Sequence, residues 1–316
     1  AVRKAAYTNI MNGYNKFGNT IAATYAGQVK ADIFNSRAHR FDSSRQAAMF
    51  PDEIDEKVYD SLIEAVHGGI GTLNEYLSVK KEQLGVPVVT LKSGPNGVFD
   101  DAFSQSMTLL GQIFGEEEKA EALVSFIAAE TAEIAERTAS IADEDKPAVY
   151  VCGLGNWGTT NHLMTSQTYA SFEVANIRNV VTDLGANGVQ PIEEEKFVAL
   201  GADMDIIVMD AAAVKNIKPL YQEDPTMFDS CKAWQTGEVY LEMAYNAYYT
   251  NYEIALINTW FIAKSVYPDL FADVDITAKT NEITSAFLGK ELADEIFACP
   301  SSFGGFQKID TASFFA

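Results

Sequence analysis

The stretch MAYNAYYTNYE, residues 243–253, places Tyr245, Tyr248, Tyr249 and Tyr252 within eleven positions. A phenol offers a flat apolar face and a hydroxyl that can donate and accept. As phenolate it also ligates ferric iron. Tyrosines between a strand-like GEVYLEM and a helix-like IALINTWFIAKSVYP therefore suit a large, partly aromatic ligand or a metal chelate. TNYE reads as a capping box, with Thr250 as N-cap and Glu253 three residues on, so a helix is expected to start near Asn251. Tyr245, Tyr248 and Tyr249 then fall in the preceding loop. The competing reading is that some of the four pack inward and only one or two face a ligand.

A second candidate is VYVCGLGNWGTT, which spells G-x-G-x-x-G at Gly153, Gly155 and Gly158 directly after a strand. That spacing invites a dinucleotide with its pyrophosphate on a helix N-terminus. Such a helix should open at once, whereas TTNHLMTSQ shows no apolar periodicity before about Tyr169. The alternative is a ligand-lining loop in which Trp157, His162 and Met164 present aromatic, imidazole and thioether groups. A third candidate is AHRFDSSRQ, where His39, Arg40 and Arg45 gather in an acidic chain. The guanidinium fork matches carboxylates and phosphates, so Arg40 and Arg45 could hold the anionic part of a chelate or a haem propionate. Surface salt bridges to Asp42 and its neighbours are the competing reading. Tyr14 and Lys16 in GYNKFGNT stand in a similar setting.

Enzyme chemistry finds little support. The three histidines are far apart, and no two sit at i, i+3 or i, i+4, so a zinc site of enzyme type is not expected. Neither G-x-S-x-G nor H-E-x-x-H occurs. The acidic pairs lie mostly on solvated helical faces such as 116–118 and 193–195. No catalytic residue, directly ligated metal or resident cofactor is assigned.

The elements that must position these residues are clearest after residue 85. A helix over 116–142 has Leu123, Ile127, Ile134 and Ile141 at helical spacing and would run about 40 Å. Strands are expected at 86–91, 148–152, within 179–184, at 205–210 and at 238–243. Helices are expected at 61–66, 73–84, 98–115, 171–177, 192–200, 251–266, 277–288 and 290–297. Apolar runs such as IIVM suit a parallel sheet covered on both faces. Residues 1–50 show little periodicity. The formal net charge of −21 excludes nucleic acid as a partner and argues against an anionic membrane surface. Cys152, Cys231 and Cys299 are too widely spaced for a zinc knuckle or redox pair. No apolar run reaches the ~18 residues of a membrane span.

Several segments together resemble the periplasmic-binding-protein family that delivers iron-siderophore complexes, haem and cobalamin to ABC importers. These are LGVPVVTL with LLGQIFGEEEKAEALVSF, then SFEVANIRNVV, KFVALGADMDIIVMD, WQTGEVYLE, YYTNYEIALINTWFIAKSVYPDLF and KTNEITSAFLG. The resemblance covers about 86–316 and rests on order and spacing. It implies an α/β fold of two Rossmann-like lobes, 1–115 and 143–316, joined by one long helix over 116–142, with the ligand in the cleft between them. It implies capture of a ferric siderophore, or else haem or cobalamin, by a monomer that docks on an ABC permease with its ATPase. Glu173 approximates the family's docking carboxylate on the second lobe. The location implied is extracytoplasmic, periplasmic or lipid-anchored, with the signal segment absent from this chain. A nucleotide-dependent α/β enzyme using the Gly153–Gly158 loop is the alternative, and a sensory binding protein without a transporter is a third reading. The first 85 residues depart from the family pattern. The expectation is that segments are missing there, which an intact mass of 34.5 kDa would contradict.

Overall fold

The computed structural model describes residues 17–78, 91, 99–155, 160–185, 188–246 and 250–315. The chain divides into two compact units, 1–89 and 90–316. Most of the strand expected at 86–91 and the end of the helix expected at 73–84 lie outside the described residues.

The described residues of the first unit are helical. They form α1 (Gly18–Ala38), α2 (Ser44–Met49) and α3 (Glu56–Ser78). Ser43 caps α2 by accepting from the Gln46 amide, and its hydroxyl donates to Glu56 at 3.2 Å. One stretch without a sequence expectation is helical, and one expectation is corrected. Residues 18–38 form a regular helix although their apolar residues follow no single face, because most of its side chains face solvent and no core imposes a stripe. Helix α3 runs unbroken through HGGIG, where two helices were expected. A Cβ at Gly68, Gly69 or Gly71 would meet nothing within 4 Å. These glycines weaken the helix by roughly 1 kcal/mol each relative to alanine, yet none imposes a turn. Val58, Leu62, Val66 and Ile70 recur every fourth residue and stay exposed.

The second unit is mixed α/β. Helix α4 (Asp101–Phe114), capped by Asp100, forms a hairpin with α5 (Glu117–Thr138). Gly115 closes α4 in the left-handed region at φ 68°. Helix α5 buries Ile127, Glu130, Ile134 and Thr138 along one stripe. Its length is about 33 Å at ~1.5 Å per residue, and all of it lies in this unit.

Next come β1 (Ala148–Cys152), β2 (Met164–Ser166), α6 (Ala170–Val174), β3 (Arg178–Asn179) and β4 (Val189–Pro191). They are followed by α7 (Glu194–Gly201), β5 (Ile206–Asp210), α8 (Ala211–Glu223), α9 (Lys232–Thr236) and β6 (Val239–Glu242). Helices α10 (Tyr252–Val266), α11 (Ile276–Leu288) and α12 (Ala293–Ala298) and strand β7 (Gln307–Lys308) close the chain. The main sheet has the order β3-β1-β5-β6-β7, parallel except for β7, and β2 and β4 form a separate antiparallel ribbon.

Alternation along β5 shows why its run is continuously apolar. Ile206 and Val208 enter one core with Trp260 and Phe172, while Ile207 and Met209 enter another with Phe197 and Phe228. A parallel sheet covered on both faces requires both. Helix α10 buries eleven of its fifteen residues, which explains an apolar pattern with no polar face.

Candidate ligand-binding site

In an open parallel sheet, ligands gather where strands end and loops turn into helices. Three chain reversals meet at that edge here. Strand β1 runs into the glycine loop, β5 passes directly into α8, and β6 runs into the tyrosine stretch before α10. Glycine is required at two points of the first loop. Gly153 adopts φ 78°, and a Cβ there would lie 2.3 Å from Ala213 Cβ. At Gly155 a Cβ would lie 2.4 Å from the Asn246 carbonyl oxygen. These glycines let the β1 loop lie against α8 and the loop after β6. Gly155→Ala is expected to lower stability by about 1–3 kcal/mol, through the overlap with Asn246. A urea melt checks this, and an unchanged midpoint would refute the tight approach.

The amides of this loop are already engaged. Gly153 N donates to the Met164 carbonyl at 2.7 Å, and Gly155 N donates to Asp210 at 3.0 Å. Residues 160–169 contain β2 and no helix. The dinucleotide reading therefore lacks its helix N-terminus and two of its donors.

Beside these loops lies a cavity of about 230 Å³, whose walls include Phe99, Leu154, Ser166, Tyr169, Tyr245, Asn246 and Thr250. Beneath it, β5 and β6 end in Asp210 and Glu242, register partners on adjacent strands. Both carboxyl groups are fully buried. Asp210 caps α8, accepting from Ala212 N at 2.7 Å, and holds Gly155 with its other oxygen. The Tyr169 hydroxyl donates to Glu242, 3.0 and 2.8 Å from its two oxygens. Burial raises Asp210 to about 7, against the opposing pull of its two amide donors. Glu242 is pushed well above the usual carboxylate range by burial and then by Asp210. Burial and Glu242 also raise Tyr169 and Tyr245, so both phenols are neutral. Two adjacent buried carboxyls without a cation cannot both ionise cheaply, and at neutral pH the pair holds a proton.

The residues predicted from sequence fall in several places. Tyr245 lines the cavity. Tyr14, Trp157, Tyr248 and Tyr249 lie outside the described residues. His162 is buried against Phe197 and Phe228, with ring centroids 5.0 and 5.7 Å away, on the other face of the sheet. Its Nε2 lies 3.2 Å from Glu194, and burial lowers its pKa. Met164 starts β2 and uses its carbonyl to anchor Gly153, outside the cavity wall. Arg45 pairs with Glu56 at 2.6 Å and Asp60 at 2.8 Å and lies over the Tyr59 ring, which joins α2 to α3. Arg40 is exposed just after α1, in the left-handed region at φ 62°. Glu173 is exposed on α6. Thr250 does not cap α10. Its hydroxyl donates to Asn246 at 3.1 Å, and Asn251 takes the N-cap position.

Sequence reasoning missed Tyr169, Asp210 and Glu242. Their signal was a lone acid closing an apolar strand, in IIVMD and in VYLE, where a charge has no solvent to meet.

A family profile described as "Periplasmic binding protein" matches residues 74–242, just over half of the chain. The chain belongs to the periplasmic binding protein family. A solved periplasmic solute binding protein from Veillonella parvula DSM 2008 is similar in fold, with a TM-score of 0.53 and 21% identity. The match covers 70% of this chain and 65% of that one, slightly under two thirds of its length. Curated relatives of another kind also match. Oligoendopeptidase F, plasmid, of Lactococcus lactis subsp. cremoris is 32% identical over 133 residues, 40% of this chain and 22% of that protein. The chromosomal oligoendopeptidase F of the same organism is 39% identical over 85 residues, 27% of this chain and 14% of that protein. The chain thus spans about a fifth or less of the length of these relatives. In this binding protein the family match spans β1, β5 and β6, the strands whose ends carry the cavity. It leaves α1, α2 and most of α3 outside.

Proposed function

We propose that this chain is the solute-binding component of an ABC importer and captures an iron complex, a ferric siderophore before haem or cobalamin. The observation that carries the reading is the cavity at the carboxyl edge of the sheet, walled by Tyr169 and Tyr245, in a chain of this family. Two phenol faces with Phe99 and Leu154 suit the apolar or aromatic part of a chelate, and the Tyr245 hydroxyl is placed to fix its orientation. The family implies an extracytoplasmic location. No helix among the described residues is long and apolar enough to cross a membrane. The chain would act by capture and delivery, docking on a permease and its ATPase, with Glu173 as a contact.

The test is a tryptophan-fluorescence titration of the full chain with ferric siderophores, haemin, cobalamin and NAD. Saturable quenching by a ferric chelate at micromolar level or below is expected. Tyr245→Phe should weaken it about fivefold, equivalent to loss of one hydroxyl hydrogen bond worth ~1 kcal/mol. Quenching by NAD alone would overturn the transport reading.

A further inference from the structure

The turn 161–164 opens the ribbon of β2 and β4. Asn161 shapes it, accepting from Leu163 N on its side chain at 3.0 Å and from Met164 N on its carbonyl at 3.1 Å. Leu163 O accepts from Ile192 N at 3.0 Å, which ties the turn to the end of β4. His162 is the side chain that this turn buries. Its ring lies against Phe197 of α7 and Phe228 before α9. Its Nε2 lies 3.2 Å from Glu194, whose side chain is half exposed at the start of α7. Among the described residues, its buried Nδ1 has no hydrogen-bond partner. The Tyr150 hydroxyl of β1 donates to the His162 carbonyl at 2.8 Å, so the backbone is held from the sheet and the ring from α7.

A neutral imidazole needs one acceptor, and Glu194 supplies it to Nε2–H. A second proton makes Nδ1 a donor with nothing to accept it and puts a positive charge between two phenyl rings. The titratable groups nearby come from three elements. From β1 come Tyr150 and Cys152, and from the segment before α9 comes Cys231. Burial raises all three, so they are neutral. On α7, Glu193 and Glu195 are exposed and Lys196 is bound to the Asp183 carbonyl. Asp229, next to Phe228, is exposed. Glu194 is the charge that favours an imidazolium here. Burial outweighs it and holds His162 below its ordinary value of 6.5.

We propose that His162 is an acid-sensitive latch on the β2–β4 ribbon. Neutral, it seats the turn against α7. Protonated, it leaves its pocket for water, the turn opens and the ribbon loosens. The open form takes up the proton at the ordinary value while the closed form resists it. The closed form is therefore fully favoured above about pH 6.5 and loses ground as pH falls below it. Ser166 of β2 and Val189 of β4 stand in the cavity wall, so the latch bears on ligand retention whichever solute is captured.

Hydrogen exchange on the full chain, corrected for the intrinsic pH dependence of the amides, tests this. From pH 7.5 to pH 5, protection of peptides covering 161–166 and 189–192 should fall at least about fivefold, while that of α10 does not fall. His162→Gln cannot take the charge and should abolish the fall. Glu194→Gln keeps an acceptor for Nε2 and leaves the buried packing intact. It should deepen the fall, because it removes the charge that favours the imidazolium, and it carries the test if His162→Gln does not fold. The chain has three histidines, so a histidine-selective NMR titration resolves them, and the resonance missing in His162→Gln should titrate below 6.5 in the native chain. Protection that holds or rises on acidification, a fall that persists in His162→Gln or is unchanged in Glu194→Gln, or an imidazole titrating at 6.5 or above would overturn the latch.

Discussion

Asn258→Leu should lower the folding stability by about 2–4 kcal/mol. Asn258 lies in the middle of α10 and is fully buried. Its amide imitates a neighbouring strand. Nδ2 donates to the Met243 carbonyl at 2.8 Å, and Oδ1 accepts from the Met243 amide at 3.2 Å. Met243 stands one residue past β6, where the sheet supplies no further partner, and is itself buried. Leucine is similar in size but leaves a buried N–H and a buried C=O unpaired, at ~1–3 kcal/mol each before relaxation. The pair also fixes the start of the loop that carries Tyr245, so ligand affinity should fall with stability. Urea denaturation gives the number through the midpoint at constant slope. A loss under about 0.5 kcal/mol would mean that water or a shifted backbone replaces the amide.

The second large effect is a dependence of stability on pH that opposes the usual carboxylate trend. The folded-state pKa of Asp210 is raised to about 7 from 3.8. Between those values the unfolded chain has lost the proton while the native state still holds it. The native state binds more protons, so this site's contribution is complete below about pH 4 and is lost as pH rises through 7. Three units at ~1.4 kcal/mol each give a loss of about 4 kcal/mol. Glu242, raised in the same direction, adds to it. The measurement must separate this site from carboxylates that act oppositely, such as Asp205 beside Lys232 and Asp273 beside Arg137. The difference between Asp210→Asn and the native chain does so. Asparagine sacrifices one amide contact at every pH, but the difference in its favour should grow by about 4 kcal/mol from pH 4 to pH 8. Parallel stability curves would show that Asp210 is ionised in the folded protein.

The second unit was legible where a single rule governed. DIIVMD could only be a strand buried on both faces, and its length and apolar run required helices above and below. IALINTWFIA could only be a helix buried all round. The glycine motif was legible as a loop because no amphipathic helix followed it. By contrast, the pattern of SFEVANI predicts a longer helix than the observed Ala170–Val174, which ends early because Asn176 turns left-handed at φ 52° and its side chain donates to the Thr138 carbonyl of α5. TNYE satisfied the pattern of a capping box, yet Thr250 bonds Asn246 across the loop. A local pattern lost to a partner four residues back.

The first unit was poorly legible for a different reason. Periodicity reports a face held against a core, and α1 has almost no buried residue, Ser36 being an exception among those described. Without a core, only backbone propensity is left to read, and glycines such as those of HGGIG then suggest a break that does not occur.

By itself the sequence did not determine the ribbon of β2 and β4 or helices α8 and α9, but it determined the α/β character of 148–243, the strands at 148–152, 205–210 and 238–243, the acidity of the chain and the presence of phenols before α10. Each follows from residue type and spacing along one element. Only the tertiary structure decided which polar groups meet. Asp210 and Glu242 are 32 positions apart in sequence, and Tyr169 is 73 from Glu242. Strand register and the turn before α6 bring them together under one cavity. Their protonation depends on water being excluded from both sides of the sheet, a property that no single element possesses.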